Sequence, residues 1–276
     1  MTSLSSSTFA IVFALISLQP RPQAQTPPGA PPGDVQVYEK FRAWVTMQPV
    51  DVQQGEPLDR YRTVLAAEGL NASEITRQIG IISEQGERLE IERWNRILTA
   101  PTPAFNTRPN AFLVEMTRGR SPGRALDVGM GQGRNALYLA QQGWAVTGFD
   151  PADRAVAAAQ EEARRLNVPL TALVLRADQF DFGHDQWDLV VLSYVDLRGL
   201  VPRVFEALKP GGVVVVEAFH RDATKTASIG DGVVFDTNEL LKLFERFRVV
   251  RYEDTDGTGD FGMQSTRLVR LSAQKP

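Results

Sequence analysis

The sequence predicts an α/β protein built on a seven-stranded, mostly parallel sheet with an antiparallel last strand, preceded by an N-terminal helical segment. Three observations support this prediction. From Ala125 onward, short β-rich runs alternate with helical runs, which is typical of a parallel sheet covered on both faces. Three glycines, Gly129, Gly131 and Gly133, separate the first strand from its helix. The last two β-rich runs have no helical stretch between them, which indicates an antiparallel pair.

The composition is that of an ordinary globular protein, and it excludes several kinds of site. The chain has 276 residues, 43% of them hydrophobic, with a formal net charge of -3, two histidines and no cysteine. Without cysteine there can be no disulfide, no thiolate metal site and no cysteine nucleophile. Two histidines are too few for a histidine-rich metal site, so no metal is expected. The slightly acidic balance argues against a broad nucleic-acid-binding surface, which requires a basic patch.

The first 33 residues divide into an apolar segment and a linker. Phe9–Leu18 is apolar but shorter than the about 20 residues that span a bilayer, and its length suits the apolar region of a secretory signal. No Lys or Arg precedes it, and Ala24 is the candidate cleavage position. We interpret residues 1–25 as a signal-like segment, with a mis-assigned start or an apolar tail as the alternative. The proline-rich stretch that continues through residues 26–33 predicts a linker.

Residues 34–100 are predicted to be helical. VYEKFRAWV and LDRYRTVLAAEGL place apolar residues at three- and four-residue steps, and Gly69 is expected to end the second helix. Asn71 and Glu74 predict a capping box at the start of a third helix, in which each side chain bonds to the backbone of the other residue. We interpret this segment as a candidate lid over the functional site.

Residues 101–276 are predicted to form the α/β domain. Pro101–Asn110 is a proline-punctuated connection into a short helix that begins at Ala111. The predicted strands are Ala125–Val128, Ala145–Asp150, Thr171–Arg176, Leu189–Leu192, Val213–Phe219, Phe247–Glu253 and Thr266–Ala273. The predicted helices between the first five strands are Asn135–Gln142, Arg154–Leu166 and Leu197–Leu208.

The turn after the first strand has the outline of a nucleotide-type site. Glycines let the backbone approach a ligand where a side chain would clash. The spacing here is G-x-G-x-G, and Arg134 stands where a dinucleotide fingerprint needs its third glycine, so pyrophosphate binding is disfavoured. A tight strand–helix turn without a ligand is the alternative. Asp150 ends the second strand, where a carboxylate accepts from both ribose hydroxyls. Helix capping is the alternative for Asp150, although Asp153 is also available as a cap.

Four motifs, in order, resemble those of class I S-adenosylmethionine-dependent methyltransferases. Asp127–Gly133 is similar to the family pattern acid-x-G-x-G-x-G, and Ala177–Asp181 to the stretch after the third strand. Trp187–Tyr194 resembles the fourth-strand motif, and Leu208–Gly212 the turn before the fifth strand. The resemblance covers the chain from about Trp94 onward and implies a Rossmann-like fold. The G-R-N that follows the glycines is most similar to the small-molecule branch, which includes tellurite- and thiol-methylating enzymes.

The resemblance implies that S-adenosyl-L-methionine is the cofactor. The glycine loop would bind its methionine end, Asp150 its ribose, and Asp178 with Gln179 its adenine. Met130, where many relatives carry Cys or Ala, is expected beside the methionine moiety. The predicted cofactor-binding residues are Asp127, Gly129, Met130, Gly131, Gly133, Asn135, Asp150, Pro151, Asp178, Gln179 and Ser193.

Acceptor-side residues are expected at the carboxyl ends of the fourth and fifth strands, where open α/β sheets place ligands. Ser193, Tyr194 and the run Glu217–His220 lie there, and we select Tyr194 and His220 as catalytic. His220 is the strongest candidate base because the unperturbed pKa of histidine lies near neutrality. Its alternative is a loop histidine bonded to the backbone. His184 is interpreted as a loop residue.

Residues that lead into the α/β domain are candidates for the acceptor pocket. They are Trp94, Phe105, Asn106 and Asn110. The alternative is aromatic packing for the first two and helix capping for the asparagines.

The predicted function is methyl transfer to a small-molecule nucleophile. Transfer from a sulfonium is an in-line displacement, so positioning the nucleophile is the main task. Ser193–Asp196 departs from the N/D-P-P-Y/F tetrapeptide of amino-methylating nucleic-acid enzymes, and the lack of cysteine excludes covalent cytosine C5 chemistry. The acceptor is predicted to be a thiol, a metalloid oxyanion, or an oxygen or nitrogen nucleophile.

Partners and location depend on the same features. Neither nucleic acid nor a stable membrane span is expected. The signal-like segment favours export or envelope attachment, whereas a cofactor made in the cytoplasm favours the cytoplasm. The alternative function is a non-catalytic SAM- or nucleotide-binding module at the cell envelope.

Overall fold

The structure, a computed structural model, describes residues 32–276. The signal-like segment predicted for residues 1–25 lies outside the described residues, as does the linker predicted for residues 26–33 apart from its end. Within residues 32–276, no helix is long and apolar enough to cross a membrane.

Helices fill the segment that precedes the sheet. They are α1 (Asp34–Val45), α2 (Val50–Gln54), α3 (Pro57–Ala67) and α4 (Ala72–Leu98). The chain reverses after α3 at Gly69, whose φ is +86°, as expected for a residue that ends a helix. The Asn71 side chain caps α4 by accepting from the Glu74 amide at 2.9 Å. Glu74 does not reach back, because its carboxylate binds Arg77 and Gln78, so only half of the predicted capping box forms.

The α/β domain alternates strands and helices as predicted. Its elements are α5 (Ala111–Thr117), β1 (Arg124–Val128), α6 (Arg134–Gln141), β2 (Ala145–Asp150), α7 (Asp153–Leu166), β3 (Leu170–Val174), β4 (Trp187–Ser193), α8 (Val201–Ala207), β5 (Leu208–His220), β6 (Val234–Phe235), α9 (Glu239–Leu243), β7 (Arg248–Thr258) and β8 (Ser265–Gln274). Two short 3₁₀ turns, Arg221–Lys225 and Asp231–Val233, lie between β5 and β6.

The sheet has the order β3-β2-β1-β4-β5-β8-β7. β8 pairs antiparallel with β5 and with β7, and the pairs from β3 through β5 are parallel, which confirms the predicted sheet with its antiparallel last strand. The structure adds one strand to the predicted seven, because β6 pairs with the last two residues of β5.

Alternate residues of the central strands pack on opposite faces of the sheet. On β4, Val190 and Leu192 join the core on the α8 and α9 side, whereas Leu189 and Val191 join the core on the α6 and α7 side. A strand buried on both faces has a near-continuous apolar sequence, which is why WDLVVLS lacks a polar alternation. The sheet is therefore packed on both faces and supports the loops that follow its strands.

Helix α8 is shorter than the predicted Leu197–Leu208. Proline lacks a backbone N–H and fits only the first turn of a helix, and Pro202 lies in that first turn, so α8 begins at Val201. Its last predicted residue, Leu208, already belongs to β5.

Candidate functional site

A cavity of about 710 Å³ lies at the carboxyl ends of β1, β2 and β4. The strand order reverses between β1 and β4, and such a switch point opens a crevice between neighbouring loops. Predicted site residues that line this cavity are Asp127, Gly129, Met130, Gly131, Asn135, Asp150, Pro151, Asp178, Ser193 and Tyr194. Three predicted residues, Gly133, Gln179 and His220, are not among its lining residues.

The glycine loop between β1 and α6 has a left-handed backbone at all three glycines, with φ of 66°, 57° and 80°. Gly129 also allows a close approach, because a Cβ there would lie 2.6 Å from Cγ1 of Val195. Gly133 has a packing role instead, since its Cβ would lie 2.9 Å from the Cβ of Ala159 on α7. The loop therefore brings backbone to the cavity at Gly129 and Gly131 and brings α6 close to α7 at Gly133.

Asp150 closes this loop onto the end of β2. Its Oδ2 accepts from the Gly131 amide at 3.0 Å, and its Oδ1 accepts from the Ala152 amide at 2.8 Å. Burial raises the pKa of Asp150 to about 6, against the lowering effect of these two amides. Each carboxylate oxygen keeps a second lone pair, so these two amide contacts and the predicted ribose-binding role are compatible in one side chain.

Asp127, at the end of β1, carries a buried carboxylate oxygen without a partner. The residue is 2% exposed, and its Oδ2 has no hydrogen-bond partner within residues 32–276. Burial raises the pKa of Asp127 to about 7, although Arg134 and the Ala136 amide both lower it. An orphaned buried oxygen in a cavity wall is suited to accept from a ligand, because leaving it unpaired is costly. Asp127 thus fits the ammonium group of the predicted cofactor.

The loop after β3 lines the far end of the cavity. Asp178 lies there and is held by the Arg176 guanidinium, which also keeps the pKa of this carboxyl below its usual value. Arg176 in turn pairs with Glu87 of α4. Gln179 turns inward to its own loop, where its Oε1 accepts from the Arg176 amide at 3.2 Å. Asp178 is therefore at the cavity, as predicted for an adenine contact, and Gln179 supports the loop.

Tyr194 lies at the end of β4 with its hydroxyl already engaged. The hydroxyl donates to Glu217 Oε1 at 2.6 Å and accepts from the Asp260 amide at 3.0 Å. Burial, and then the negative charges of Glu217 and Asp260, raise the pKa of Tyr194 well above its ordinary value. Tyr194 therefore stays protonated at neutral pH, and its ring rather than its oxygen is available to a ligand.

A buried polar network surrounds that hydroxyl. Asn110 Nδ2 donates to Glu217 Oε1 at 2.8 Å and to Asp260 Oδ2 at 2.6 Å, and Arg270 Nε donates to Glu217 Oε2 at 2.6 Å. Arg134 pairs with Asp260 Oδ2 at 2.8 Å. We name Asn110, Tyr194, Glu217 and Asp260 the buried polar network. It joins the segment before α5 to the ends of β4, β5 and the β7–β8 connection.

The geometry does not support a catalytic role for His220. The residue is 5% exposed and is bonded through both ring nitrogens: Nδ1 accepts from the Asp222 amide and Nε2 bonds the Thr237 hydroxyl, both at 3.0 Å. Its Nδ1 thereby caps the 3₁₀ turn at Arg221–Lys225. These contacts favour the alternative of a histidine that holds the backbone. His184 is exposed in a loop, as expected, where it contacts Asp185.

Helix α4 forms the roof of the cavity. Glu87, Ile91, Trp94 and Leu98 line it, and their spacing places them on one face of the helix. Asn95 attaches the roof to α7, because its Oδ1 accepts from the Arg154 amide at 2.9 Å and its Nδ2 donates to Asp153 at 2.6 Å. The Asn95 side chain of α4 therefore caps α7, and Asp153 does not.

Two of the four candidate acceptor-pocket residues line the cavity. Trp94 and Phe105 do so, whereas Asn106 and Asn110 do not. Asn106 Nδ2 donates to Asp260 Oδ1 at 2.8 Å, and Asn110 caps α5 by accepting from the Leu113 amide at 3.0 Å. The asparagines thus support the site from behind.

Sequence reasoning missed Phe261 and much of the roof. Phe261 lies in the glycine-rich connection between β7 and β8, and its backbone forms an isolated bridge with Phe105. No local pattern signals such a distant pairing. The roof residues did have a signal, because Glu87, Ile91 and Leu98 share the helical face of Trp94.

Comparisons with known proteins agree with this architecture. Residues 125–212 match a family model described as a methyltransferase domain. Hemagglutinin 1 of Eikenella corrodens is 26% identical over 162 residues, which cover 55% of this chain and 52% of that protein. The probable S-adenosyl-L-methionine-dependent methyltransferase TehB of Haemophilus influenzae is 24% identical over 152 residues, which cover 52% of this chain and 53% of TehB. The chain spans about half the length of the curated relatives it matches.

A solved structure extends the likeness of the fold. The N-methyltransferase NodS of Bradyrhizobium japonicum, in complex with S-adenosyl-L-homocysteine, aligns with a TM-score of 0.51 and 19% identity. The alignment covers 67% of this chain and 98% of NodS. At this identity the likeness shows the fold.

Proposed function

We propose that this chain, which carries a class I S-adenosylmethionine-dependent methyltransferase domain, transfers a methyl group from that cofactor to a small-molecule acceptor. The observation that carries the proposal is the unpartnered, buried carboxylate oxygen of Asp127 beside a glycine loop that Asp150 closes. The amino-acid and ribose ends of the cofactor present N–H and O–H donors, which these two carboxylates would accept. The fit therefore rests on donor and acceptor chemistry in this chain.

The charge of the cavity also suits a cationic cofactor. Its lining includes the carboxyl groups of Glu87, Asp127, Asp150, Asp178 and Asp196 and the guanidinium groups of Arg134, Arg176 and Arg203. Acidic groups thus outnumber basic ones around a ligand that carries sulfonium and ammonium charges. When bound, the cofactor supplies an activated methyl group on a good leaving group.

The chain's own residues then have a positioning task. The glycine loop and Asp150 hold the donor, and the α4 roof covers the cavity that β4 enters through Ser193 and Tyr194. Orienting two reactants in this way contributes roughly 7–11 kcal/mol in well-aligned intramolecular systems. No described residue is required to act as a base if the acceptor has no proton to lose.

A small molecule is favoured as the acceptor because the cavity is roofed. Helix α4 is attached to α7 through Asn95 and to the β3–β4 loop through the pair of Glu87 with Arg176. A folded nucleic acid would have to displace these contacts, and the acidic lining would repel its phosphates.

Replacing His220 by alanine is expected to leave turnover within about twofold, because both ring nitrogens bond to the chain outside the cavity. Loss of the cap should instead lower the free energy of unfolding by about 1 kcal/mol. Steady-state kinetics at saturating acceptor, with thermal melts, check both expectations. A turnover reduced a hundredfold in a folded H220A variant would return His220 to the catalytic role.

The proposed function is tested first by binding and then by turnover. Calorimetry should detect binding of S-adenosylmethionine and of S-adenosylhomocysteine, with no binding of NAD. Thiols, thioethers, selenite, tellurite, phenols and a structured RNA are then assayed as acceptors. Methylation of a small molecule supports the proposal. Methylation of RNA and of no small molecule would show that the acceptor is a nucleic acid. Cofactor binding without turnover of any acceptor would favour the non-catalytic binding module.

A further inference from the structure

Four aromatic rings form one side of the cavity, and we name Trp94, Phe105, Tyr194 and Phe261 the aromatic wall. All four line the cavity. Phe261 contacts the other three rings. Its ring centroid lies 6.1 Å from that of Trp94 and 5.3 Å from that of Tyr194, both edge-to-face. The centroid of Phe105 lies 5.6 Å away, with the two rings tilted. The rings come from α4, the segment before α5, the end of β4 and the β7–β8 connection. The fold therefore gathers distant parts of the chain into one apolar surface.

The aromatic wall lies opposite the end of the cavity assigned to adenine. Asp178 follows β3, and Tyr194 follows β4, and the sheet order places β2 and β1 between those strands. Tyr194 stands between two residues that adjoin the glycine loop region: Ser193 Oγ accepts from Asn135 at 3.4 Å, and Val195 lies against Gly129. A donor that extends from Asp178 to the glycine loop would thus present its methionine end to the aromatic wall.

The buried polar network holds the aromatic wall in place. Tyr194 bonds Glu217 and the Asp260 amide, next to Phe261 in sequence. The Asn106 amide donates to the Asp260 carbonyl at 2.7 Å, which fixes Phe105 beside Phe261. The rings are therefore positioned by charged and amide groups behind them, and they do not depend on the acceptor for their arrangement.

No free cation serves this end of the cavity among the described lining residues. Both terminal nitrogens of Arg134 are engaged, with Asp260 at 2.8 Å and with the Arg108 carbonyl at 3.1 Å. Arg203 and Arg176 lie at the opposite end, where Arg203 donates to the carbonyls of Ala177 and Phe180 and Arg176 is paired with Asp178. An anionic acceptor would find aromatic rings there and no unpaired positive side chain among the described lining residues, so only the sulfonium of the donor would offset its desolvation.

We propose that the aromatic wall is the acceptor subsite and that it takes an uncharged sulfur or nitrogen nucleophile with an apolar or aromatic body, such as a thioether or a pyridine-type heterocycle. The proposal rests on the proposed function and narrows it by excluding thiolates and metalloid oxyanions. The protonated Tyr194 hydroxyl cannot remove a proton, and such acceptors have none to lose.

The transfer balances without a base or a further reactant. The acceptor lone pair forms the new bond to the methyl carbon while the bond from that carbon to the donor sulfur breaks, and its electron pair stays on the donor sulfur. The positive charge moves from the donor to the acceptor. Aromatic rings attract a cation, so the aromatic wall also suits the product of this step.

Binding to the protein saturated with S-adenosylhomocysteine tests the proposal, with thioanisole and ionised thiophenol at pH 8 as an uncharged and an anionic probe of nearly the same shape. We expect calorimetry to show thioanisole binding at least tenfold more tightly. Phe261→Ala should weaken thioanisole binding at least tenfold and change the Kd of S-adenosylhomocysteine by less than threefold. If that variant fails to fold, Phe261→Leu keeps the apolar volume without the ring and should still weaken thioanisole binding severalfold.

The matched control is Phe205→Ala, which removes a ring that packs against Phe247 away from the cavity. It should alter neither Kd. Equal or tighter binding of ionised thiophenol, binding of neither probe, or equal weakening of thioanisole and S-adenosylhomocysteine by Phe261→Ala would overturn the subsite. Failure of the wild-type protein to bind S-adenosylhomocysteine would instead overturn the proposed function.

Discussion

Replacing Asp150 by alanine is expected to weaken S-adenosylmethionine binding by at least about 100-fold. The carboxylate accepts from the Gly131 and Ala152 amides and retains lone pairs for the two ribose hydroxyls. Hydrogen bonds to a charged group contribute about 1.5–3 kcal/mol each, so loss of both ribose contacts accounts for a change of this size. Loss of the Gly131 contact also frees the glycine loop, which adds to the effect.

Calorimetric titration with S-adenosylmethionine measures this prediction, and Asp153→Ala is its matched control. Asp153 is a neighbouring carboxylate at the start of α7 that binds Asn95 and does not line the cavity. Its removal should change cofactor affinity by less than about threefold. Asp150→Asn, which keeps one acceptor oxygen, should give an intermediate affinity. An unchanged Kd in a folded D150A variant would refute the role of Asp150 in cofactor binding.

Asp127→Asn is expected to change stability and cofactor affinity in opposite directions. Burial raises the pKa of Asp127 from 3.8 to about 7. One pKa unit corresponds to about 1.4 kcal/mol, so holding this carboxylate ionised costs the cofactor-free protein on the order of 4 kcal/mol above pH 7. The asparagine avoids that cost but buries an unpaired amide N–H, which costs roughly 1–3 kcal/mol.

The sign of the pH dependence follows from the raised pKa. The folded protein binds a proton at Asp127 more tightly than the unfolded chain does, so this group contributes stability at low pH that is lost as the pH rises from about 4 through 7. The stability advantage of D127N should therefore grow over the same range and reach roughly 1–3 kcal/mol at pH 8. Denaturant unfolding of both proteins at pH 5 and pH 8 measures it.

Cofactor binding should respond to the same substitution in the other direction. The orphaned oxygen of Asp127 is the proposed acceptor for the cofactor ammonium group, and its replacement should weaken binding by about 10–100-fold. Wild-type affinity should also fall as the pH drops through about 7, where Asp127 takes up its proton, and this fall should be smaller in D127N. A variant that loses stability at pH 8 while binding the cofactor normally would contradict this account of Asp127.

The sheet and the cofactor end of the site were predictable because their signals are local. The apolar runs Ala125–Val128 and Ala145–Asp150 indicate two strands, and the glycines that follow the first run indicate the turn. These three features of one short stretch predict the cofactor-binding loop. Carboxyl ends of parallel strands meet at one edge, which accounts for the position of Asp178 in the cavity lining. The sequence predicts one strand fewer than the structure has, because β6 contains only two residues and lies in a stretch without periodicity.

The acceptor end was less predictable because distant contacts build it. Phe261 meets Phe105 through a bridge between segments far apart in sequence, and Asn110 turns away from the cavity to reach Glu217 and Asp260. His220 ends β5 as expected, but the partner that engages its Nε2, Thr237, comes from a segment whose position no motif indicates. A histidine at the end of a strand therefore does not by itself indicate a catalytic role, because its hydrogen-bond partners decide what it does.

The buried polar network has a consequence for how this protein tolerates sequence change. Asn110 donates to the carboxylates of Glu217 and Asp260, and Tyr194 donates to Glu217 and accepts from the Asp260 amide, so a replacement at one position changes the hydrogen bonding of the others. Substitutions at positions 110, 194, 217 and 260 are consequently non-additive. Replacements at these four positions are therefore expected to be tolerated better in combination than singly.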